Sequence, residues 1–394
     1  MPTTKPSTVP IFILAALSAM APLAIDAYLP AMPEMAEGLS TSIHNIELSL
    51  SLFLAGFALG QIIGGPLSDH FGRRFGIFSG ITLFAIGSCG ITLCADIETL
   101  WGFRITQALG AGLMGVNGPA VIRDLSEGQN SARYLSHMAV IMMIAPLVAP
   151  MLGMMILQIA PWQGIFLFLL IFSLLVALAV FIRLPETRVH DENRPSIWQR
   201  YRQILIHRRA LSFVAAQSFS YAGMFAFITA SPLVYMTYFD VSQQLYPFLF
   251  SANVIAMIII NRINVLLLKT FASRKILIFG QLLQISSGCA LLAYLLFAST
   301  PQLAFTVVLI VCFVGCQSFI VANATANTIQ FFPTNSGTAA ALLGASSFLA
   351  GAIGAGLVGI LGDGSALPMA IVMCGCALLG GITRLVLYGN PQTH

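Results

Sequence analysis

Gly65-Pro66-Leu67-Ser68-Asp69-His70-Phe71-Gly72-Arg73-Arg74 is a polar knot set between two long apolar runs, 44–67 and 74–95. Gly72 permits a tight turn, Asp69 stands at the end of one helix, and Arg73 and Arg74 are placed to pair with neighbouring helix ends. A loop that needed positive charge only for membrane topology would account for the arginines, but not for the glycines or the aspartate. The knot therefore reads as a latch of Gly65, Asp69, Gly72, Arg73 and Arg74 that holds one arrangement of the helices around it.

Outward from the knot the chain is overwhelmingly apolar. Hydrophobic residues make up 58% of its 394 residues and charged ones 8%, against roughly 25% charged in a soluble domain. Apolar runs near the ~20 residues that cross a bilayer recur at 10–33, 44–67, 74–95, 98–123, 133–158, 162–183, 210–237, 244–268, 274–297, 301–329, 336–361 and 366–388. They predict an all-α membrane protein of about twelve transmembrane helices. The first run follows Lys5 in the manner of a signal peptide, but it carries Asp26 and continues into Tyr28-Leu29-Pro30, so it reads as a permanent helix.

The basic residues supply an independent check. None lies in the connections near 34–43, 96–98, 159–161, 238–243, 298–300 and 362–365, which instead hold Glu34, Glu37, Asp96, Glu98, Asp240 and Asp363. Arg73, Arg74, Arg133, Lys269, Arg274 and Lys275 lie in the alternate connections. Positive residues near span ends stay on the cytoplasmic side. Both termini are therefore expected in the cytoplasm, with the chain multi-pass in a bacterial cytoplasmic (inner) membrane.

One polar stretch, holding Arg188, Arg194, Arg200, Arg202, Arg208 and Arg209, divides the chain almost in half. It predicts an N-terminal six-helix bundle over 1–184, a cytoplasmic linker over 185–209 and a C-terminal six-helix bundle over 210–394. Phe71-Gly72-Arg73-Arg74 returns as Ala272-Ser273-Arg274-Lys275, again after an apolar span, which points to duplication. Repeats of this kind are common in secondary transporters, whose substrate site lies between the halves at mid-membrane.

Other classes are excluded. The net charge of +4 is scattered and forms no patch for nucleic acid. The seven cysteines, Cys89, Cys94, Cys289, Cys312, Cys316, Cys374 and Cys376, sit in apolar segments without metal-ligand spacing, so neither a metal nor a disulfide framework is expected. There is no Gly-Lys-Ser/Thr and there are three lysines, which argues against an ATPase site. No catalytic cluster suggests an enzyme or receptor, and no cofactor is implied.

Two charges stand inside apolar runs. Arg104 lies in Leu100-Trp101-Gly102-Phe103-Arg104-Ile105-Thr106-Gln107-Ala108-Leu109-Gly110-Ala111-Gly112, where burying an arginine costs at least ~2.5 kcal/mol and calls for a counter-charge or a cavity. A clamp on groups of neighbouring helices is the alternative. Asp26 lies roughly 16 residues into the first run, or ~24 Å along the axis, in its outward half between Pro22 and Pro30. Burial disfavours the carboxylate while Arg104 or a cationic substrate favours it, so such an acid can trade a proton for a substrate. A buried acid of structural use stands beside that reading.

The knot at 65–74 resembles the loop signature of the major facilitator superfamily, and the run at 100–112 resembles that family's fourth-helix signature. Leu23-Ala24-Ile25-Asp26-Ala27-Tyr28-Leu29-Pro30-Ala31-Met32-Pro33 is similar to the first helix of the bicyclomycin and chloramphenicol resistance exporters, the Bcr/CflA family. Phe219–Phe227 with Ser231-Pro232, and Ile144–Pro150, extend the likeness across the chain. The resemblance implies two six-helix bundles and proton-coupled multidrug efflux by antiport and alternating access. Small amphipathic drugs of the chloramphenicol and bicyclomycin class, protons and the lipid bilayer would be the partners of a monomer. A proton-coupled carrier of a sugar, amino acid or other metabolite stays open.

The fifth span departs from the antiporter signature. Its Gly-Pro pair is replaced by Ala145-Pro146, and Gly153 alone follows Pro150. Pro146, Pro150 and Gly153 still suit a helix that bends or packs closely. Gly56, Gly60 and Gly64, and Gly351, Gly354, Gly356 and Gly359, read as close-packing stripes. Candidate cavity-lining residues are Tyr28, Met114, Asn117, Met143, Gln217, Tyr221, Met224, Phe225, Tyr235, Gln317, Asn323 and Asn327, with Asp26 and Arg104 assigned to proton coupling. Arg262 reads as a snorkelling residue.

Overall fold

The computed structural model describes residues 9–126, 128–187, 197–332 and 336–389; Lys5, Arg188 and Arg194 lie outside them. Those residues form helices and connections, with no strand among them. The chain runs α1 (Val9–Asp26), a short 3-10 turn (Leu29–Ala31), α2 (Met32–Gly38), α3 (Ile43–Phe71), α4 (Arg73–Leu93), α5 (Ile97–Gly115), α6 (Asn117–Leu125), α7 (Gly128–Leu157) and α8 (Gln163–Arg183). After α9 (Ile197–Leu205) come α10 (Arg208–Pro232) with a π-helical extension (Leu233–Tyr238), α11 (Tyr246–Leu267), α12 (Ser273–Phe297), α13 (Leu303–Gly315), α14 (Gln317–Gln330), α15 (Ser336–Leu361) and α16 (Leu367–Tyr388).

Eleven described segments are long and apolar enough to cross a membrane. The remaining predicted span, α5 with α6, carries Glu98, Arg104, Arg123 and Asp124 and is correspondingly less apolar. The described residues are all-helical as expected, and eleven of the twelve predicted spans meet that measure. Large apolar side chains such as Leu175, Phe181, Phe297 and Ile360 are exposed, which is the ordinary arrangement when lipid rather than water is the solvent.

Proline explains two of the interruptions. Pro30 has no N–H for the Asp26 carbonyl four residues back, and its ring crowds that carbonyl, so α1 stops at Asp26. Pro119 stands in the same relation to Gly115, where α5 ends and α6 begins after Val116. The matching break at Cys316, between α13 and α14, has no proline behind it. The predicted linker is partly helical, since α9 runs through it.

The described chain divides into two compact units, Met1–Glu34 with Ala55–Arg194, and Met35–Leu54 with Pro195–His394. In the first, α5 is held between α3 and α4 by glycines. A Cβ at Gly60 would come 3.0 Å from Gly112, and one at Gly80 would come 2.9 Å from the Met114 nitrogen. Such approach gives the van der Waals contact that drives helix association in lipid, where burial of apolar surface contributes little. Met20, Tyr28, Phe84 and Phe166 fill this unit's core, and Phe227, Tyr235, Tyr246 and Phe313 fill that of the second.

Candidate functional site

The knot that opened the sequence reading is a charged network in the first unit. Gly72 separates α3 from α4 at φ 106°, a left-handed backbone that favours glycine. A Cβ there would also stand 2.6 Å from Glu186 Oε2. The Arg73 guanidinium donates to Asp69 Oδ1 at 2.7 Å, Ser68 Oγ at 2.8 Å and Asp124 Oδ2 at 3.0 Å. The Glu186 carboxylate accepts the backbone N–H groups of Arg73 at 2.9 Å and Arg74 at 3.1 Å, placing a negative charge on the N-terminus of α4. Arg74 donates to the Phe181 carbonyl and lies over the Phe78 and Phe181 rings.

The structure thus brings together Asp69, Gly72, Arg73 and Arg74, and adds Asp124 and Glu186, which the sequence reading did not single out. Gly65 meets nothing within 4 Å of a built Cβ, and its carbonyl accepts at 3.1 Å from the Ser68 hydroxyl that Arg73 also reaches. Asp124 could have been found as the acid ending the α5–α6 segment, and Glu186 as the first acid after α8.

Deeper in the same unit, Arg104 is fully buried. Its Nη1 donates to the Ala24 carbonyl at 3.0 Å and to Gln107 Oε1 at 2.9 Å, and its guanidinium lies 4.3 Å from the Tyr28 ring centroid and 5.8 Å from that of Phe166. Gln107 passes the connection to Ser88 of α4 at 2.9 Å. Asp26 is not among these partners. It is 3% exposed, closes α1, and its Oδ1 has no hydrogen-bond partner. The two charged residues therefore meet the same turn of chain, 24–28, without forming an ion pair with each other. Gly153 of α7 presses on the Ala27 carbonyl so closely that a side chain there would collide with backbone. Pro146 and Pro150 lie inside α7, about two turns and one turn before it, and Met143 is half-buried.

Other candidates in this unit serve packing contacts. Met114 lies against Gly80, and Asn117, which donates to the Leu113 carbonyl at 2.8 Å, lies against Gly76.

In the second unit Gln217, Tyr221, Met224 and Phe225 follow one another along α10. Gln217 donates to Ser347 Oγ at 3.1 Å and accepts from Thr325 Oγ1 at 2.9 Å, joining α15 and α14. Tyr221, Phe225 and Phe348 form an aromatic group with centroids 5.7–6.1 Å apart. Tyr235 and Gln317 are buried, and neither the Tyr235 hydroxyl nor Gln317 Oε1 has a hydrogen-bond partner. Asn323 and Asn327 are separate from the α10 group. Asn323 bonds Asn264 at 2.7 Å and Ser273 at 2.7 Å, and Asn327 donates to Ser273 at 2.8 Å, so they fasten the start of α12.

Apolar spans in this number, a charged inter-helix latch and polar groups buried within the spans, among the described residues, are the features of a multi-pass membrane carrier of small molecules. The chain belongs to the Major Facilitator Superfamily, whose profile matches residues 14–216 and 213–394. It is 29% identical over 375 residues to the bicyclomycin resistance protein homolog of Haemophilus influenzae, covering 94% of this chain and 93% of that one. It is 30% identical over 294 residues to the chloramphenicol resistance protein of Pseudomonas aeruginosa, covering 74% and 68%. These are the relatives that the Bcr/CflA likeness of the first helix implied. A solved bacterial homolog of the human lysosomal transporter Spinster, inward-facing and occupied, superposes with a TM-score of 0.76 over 98% of this chain and 97% of that one. At 14% identity that likeness speaks for the fold alone.

Proposed function

We propose that this transporter is a proton-driven exporter of small amphipathic antibiotics of the chloramphenicol and bicyclomycin class. It works by antiport in a bacterial cytoplasmic membrane, as a monomer with both termini in the cytoplasm. The halves 1–184 and 210–394, joined by the linker 185–209, alternate access to a substrate region that includes the Gln217, Tyr221, Met224 and Phe225 face of α10. The names carried by the relatives support the substrate class, and the observation that carries the mechanism is Asp26. A carboxyl with an unsatisfied buried oxygen, at the end of an interrupted helix, is costly to keep unless it is used.

Asp26 is sealed in the conformation described, so proton exchange belongs to a second conformation in which water reaches it. Binding of a cationic or polar substrate group beside the carboxylate and binding of a proton on it are then mutually exclusive. One proton entering down the membrane potential carries ~2.3 kcal/mol per 100 mV, which offsets the work of moving a drug outward. The test is ΔpH-driven chloramphenicol transport in inverted vesicles. Asp26→Asn is expected to remove the proton-driven component while the protein stays inserted. Wild-type rates in that variant would sink the coupling role.

A further inference from the structure

A second acid lies in the spans, one that the mechanism above leaves unused. Glu47 stands in the first turns of α3, at the end remote from the Arg73 latch, and its Oε2 is 3.0 Å from Nδ1 of His44. The spacing of three residues puts both on one helix face. The Glu47 side chain is 2% exposed and that of His44 27%, so the imidazole reaches solvent where the carboxyl does not.

The end of α15 covers the pair, within the second unit. The His44 ring packs directly on Gly362, and Leu48 lies 3.1 Å from where a Cβ of Gly359 would stand. Ser51 Oγ donates to the Ala352 carbonyl at 2.7 Å and faces Gly356. Three successive glycines thus admit His44, Leu48 and Ser51 to a tight seam. From the α15 side the charged group that reaches the pair is Asp363. Its carboxyl is held below the ordinary aspartate range mainly by hydrogen bonding to Ser365, with a smaller contribution from His44. The connections 34–43 and 362–365 contain no lysine or arginine.

A carboxylate buried in a span keeps its charge only when an opposite charge faces it. Here the group facing Glu47 is an imidazole, whose two ring nitrogens can each hold or release a proton. The ionised pair and the neutral pair therefore differ by one proton moved across a single hydrogen bond.

We propose that Glu47, reached through His44, is a second proton-binding site of this transporter, at the α3–α15 seam and separate from Asp26. A solvent proton adds to His44 to give the imidazolium. Its Nδ1–H bond then breaks as the O–H bond forms on Glu47 Oε2, and the electron pair stays on Nδ1. Neutral imidazole, with its proton on Nε2, and a neutral acid remain, and the reverse steps return the proton. The proposal deepens the proton-driven reading and depends on it for any role in transport, whereas proton binding itself does not.

Infrared titration of the purified full-length protein reads protonated carboxyl groups directly, with the proton as probe. In the Asp26→Asn background a buried-carboxyl band is expected to persist and to bleach as pH rises, and adding Glu47→Gln is expected to abolish it. Glu47→Asp should restore a band, which separates loss of the carboxyl from loss of the fold. His44→Gln should move the midpoint to higher pH by about one unit or more, because the ionised form loses its cation. Identical difference spectra with and without Glu47→Gln, or an unmoved midpoint in His44→Gln, overturn the proposal. Wild-type export by Asp26→Asn while the Glu47 band still titrates would instead defeat the Asp26 coupling role alone.

Discussion

Arg104 is held in the membrane by a carbonyl, an amide and two aromatic rings, and this mixture decides what substitutions there will do. The Ala24 carbonyl and Gln107 each accept from one guanidinium nitrogen while the flat face lies over Tyr28. Lysine carries the same charge but cannot stack or fork in this way. Arg104→Lys is therefore expected to behave nearly as badly as Arg104→Ala. Hydrogen bonds to a charged group contribute about 1.5–3 kcal/mol each, so either variant should lower drug export at least about tenfold at equal membrane abundance. Transport at the wild-type level in Arg104→Lys would show that charge alone suffices. Both Asp26 and Arg104 could be found from sequence, because charges in apolar runs are conspicuous. Their separation could not, because Arg104 takes the Ala24 carbonyl and the Tyr28 ring as its partners through tertiary packing. Glu47 was open to the same rule that found Asp26, but it stands close to the start of its span, where a charge is less conspicuous.

Among the elements, α7 and the interrupted first span meet at one point that leaves no room for a side chain. Gly153 lies on the Ala27 carbonyl, a backbone atom that cannot rotate away, whereas Gly375 of α16 has nothing within 4 Å of a built Cβ. Gly153→Ala should destabilise the purified protein by about 1–3 kcal/mol through overpacking, and Gly375→Ala should stay within about 0.5 kcal/mol of wild type. Thermal unfolding in detergent checks both, and equal midpoints for the two variants would remove the packing account of Gly153. The start of α5 offers a pH-dependent counterpart. Asp96 caps it, accepting from the Thr99 backbone N–H at 2.8 Å and from the Thr99 hydroxyl at 2.8 Å, and these bonds lower its pKa below the ordinary aspartate value. A folded-state pKa below the unfolded one means that the stabilisation is present above about pH 4 and is lost as pH falls through the folded value. Asp96→Ala should then melt earlier than wild type at neutral pH, and the difference should vanish in acid. The periodic spans were readable from composition, but the runs 10–33 and 98–123 were read straight through the breaks behind Pro30 and Pro119, because prolines such as Pro66 and Pro146 sit inside unbroken helices. The break at Cys316 and the π-helical turn after Pro232 were not readable either, since no residue type there encodes them.

Across the whole molecule, the duplicated loop has been built in two chemistries. In the first unit Arg73 is tied to Asp69 and Asp124 by ion pairs of 2.7 and 3.0 Å. At the matching place in the second unit Ser273 is tied to Asn323 and Asn327 by neutral hydrogen bonds, while Arg274 lies 3.8 Å from the Tyr388 ring centroid. The recurrence of the loop was visible in the sequence, but its exchange of carboxylates for amides was not, because Asp124, Asn323 and Asn327 come from α6 and α14 rather than from the loop. Charge-assisted hydrogen bonds are roughly twice as strong as neutral ones, so the first unit's latch should dominate the conformational equilibrium. Asp124→Asn removes one of its charges without changing shape. If the latch favours one state of the transport cycle, losing about 1.5–3 kcal/mol shifts that equilibrium by roughly 10- to 150-fold. Asn327→Ala should shift it less, by about fivefold for the neutral bond to Ser273 of about 1 kcal/mol, its other bond being to the Asn323 carbonyl of its own helix. With the seven native cysteines replaced, reaction rates of a cysteine introduced at Ser51, which faces Gly356 across the α3–α15 seam, measure how often that seam opens in each variant. Equal labelling rates in Asp124→Asn and Asn327→Ala would mean that the charged loop is a topology signal and not a latch.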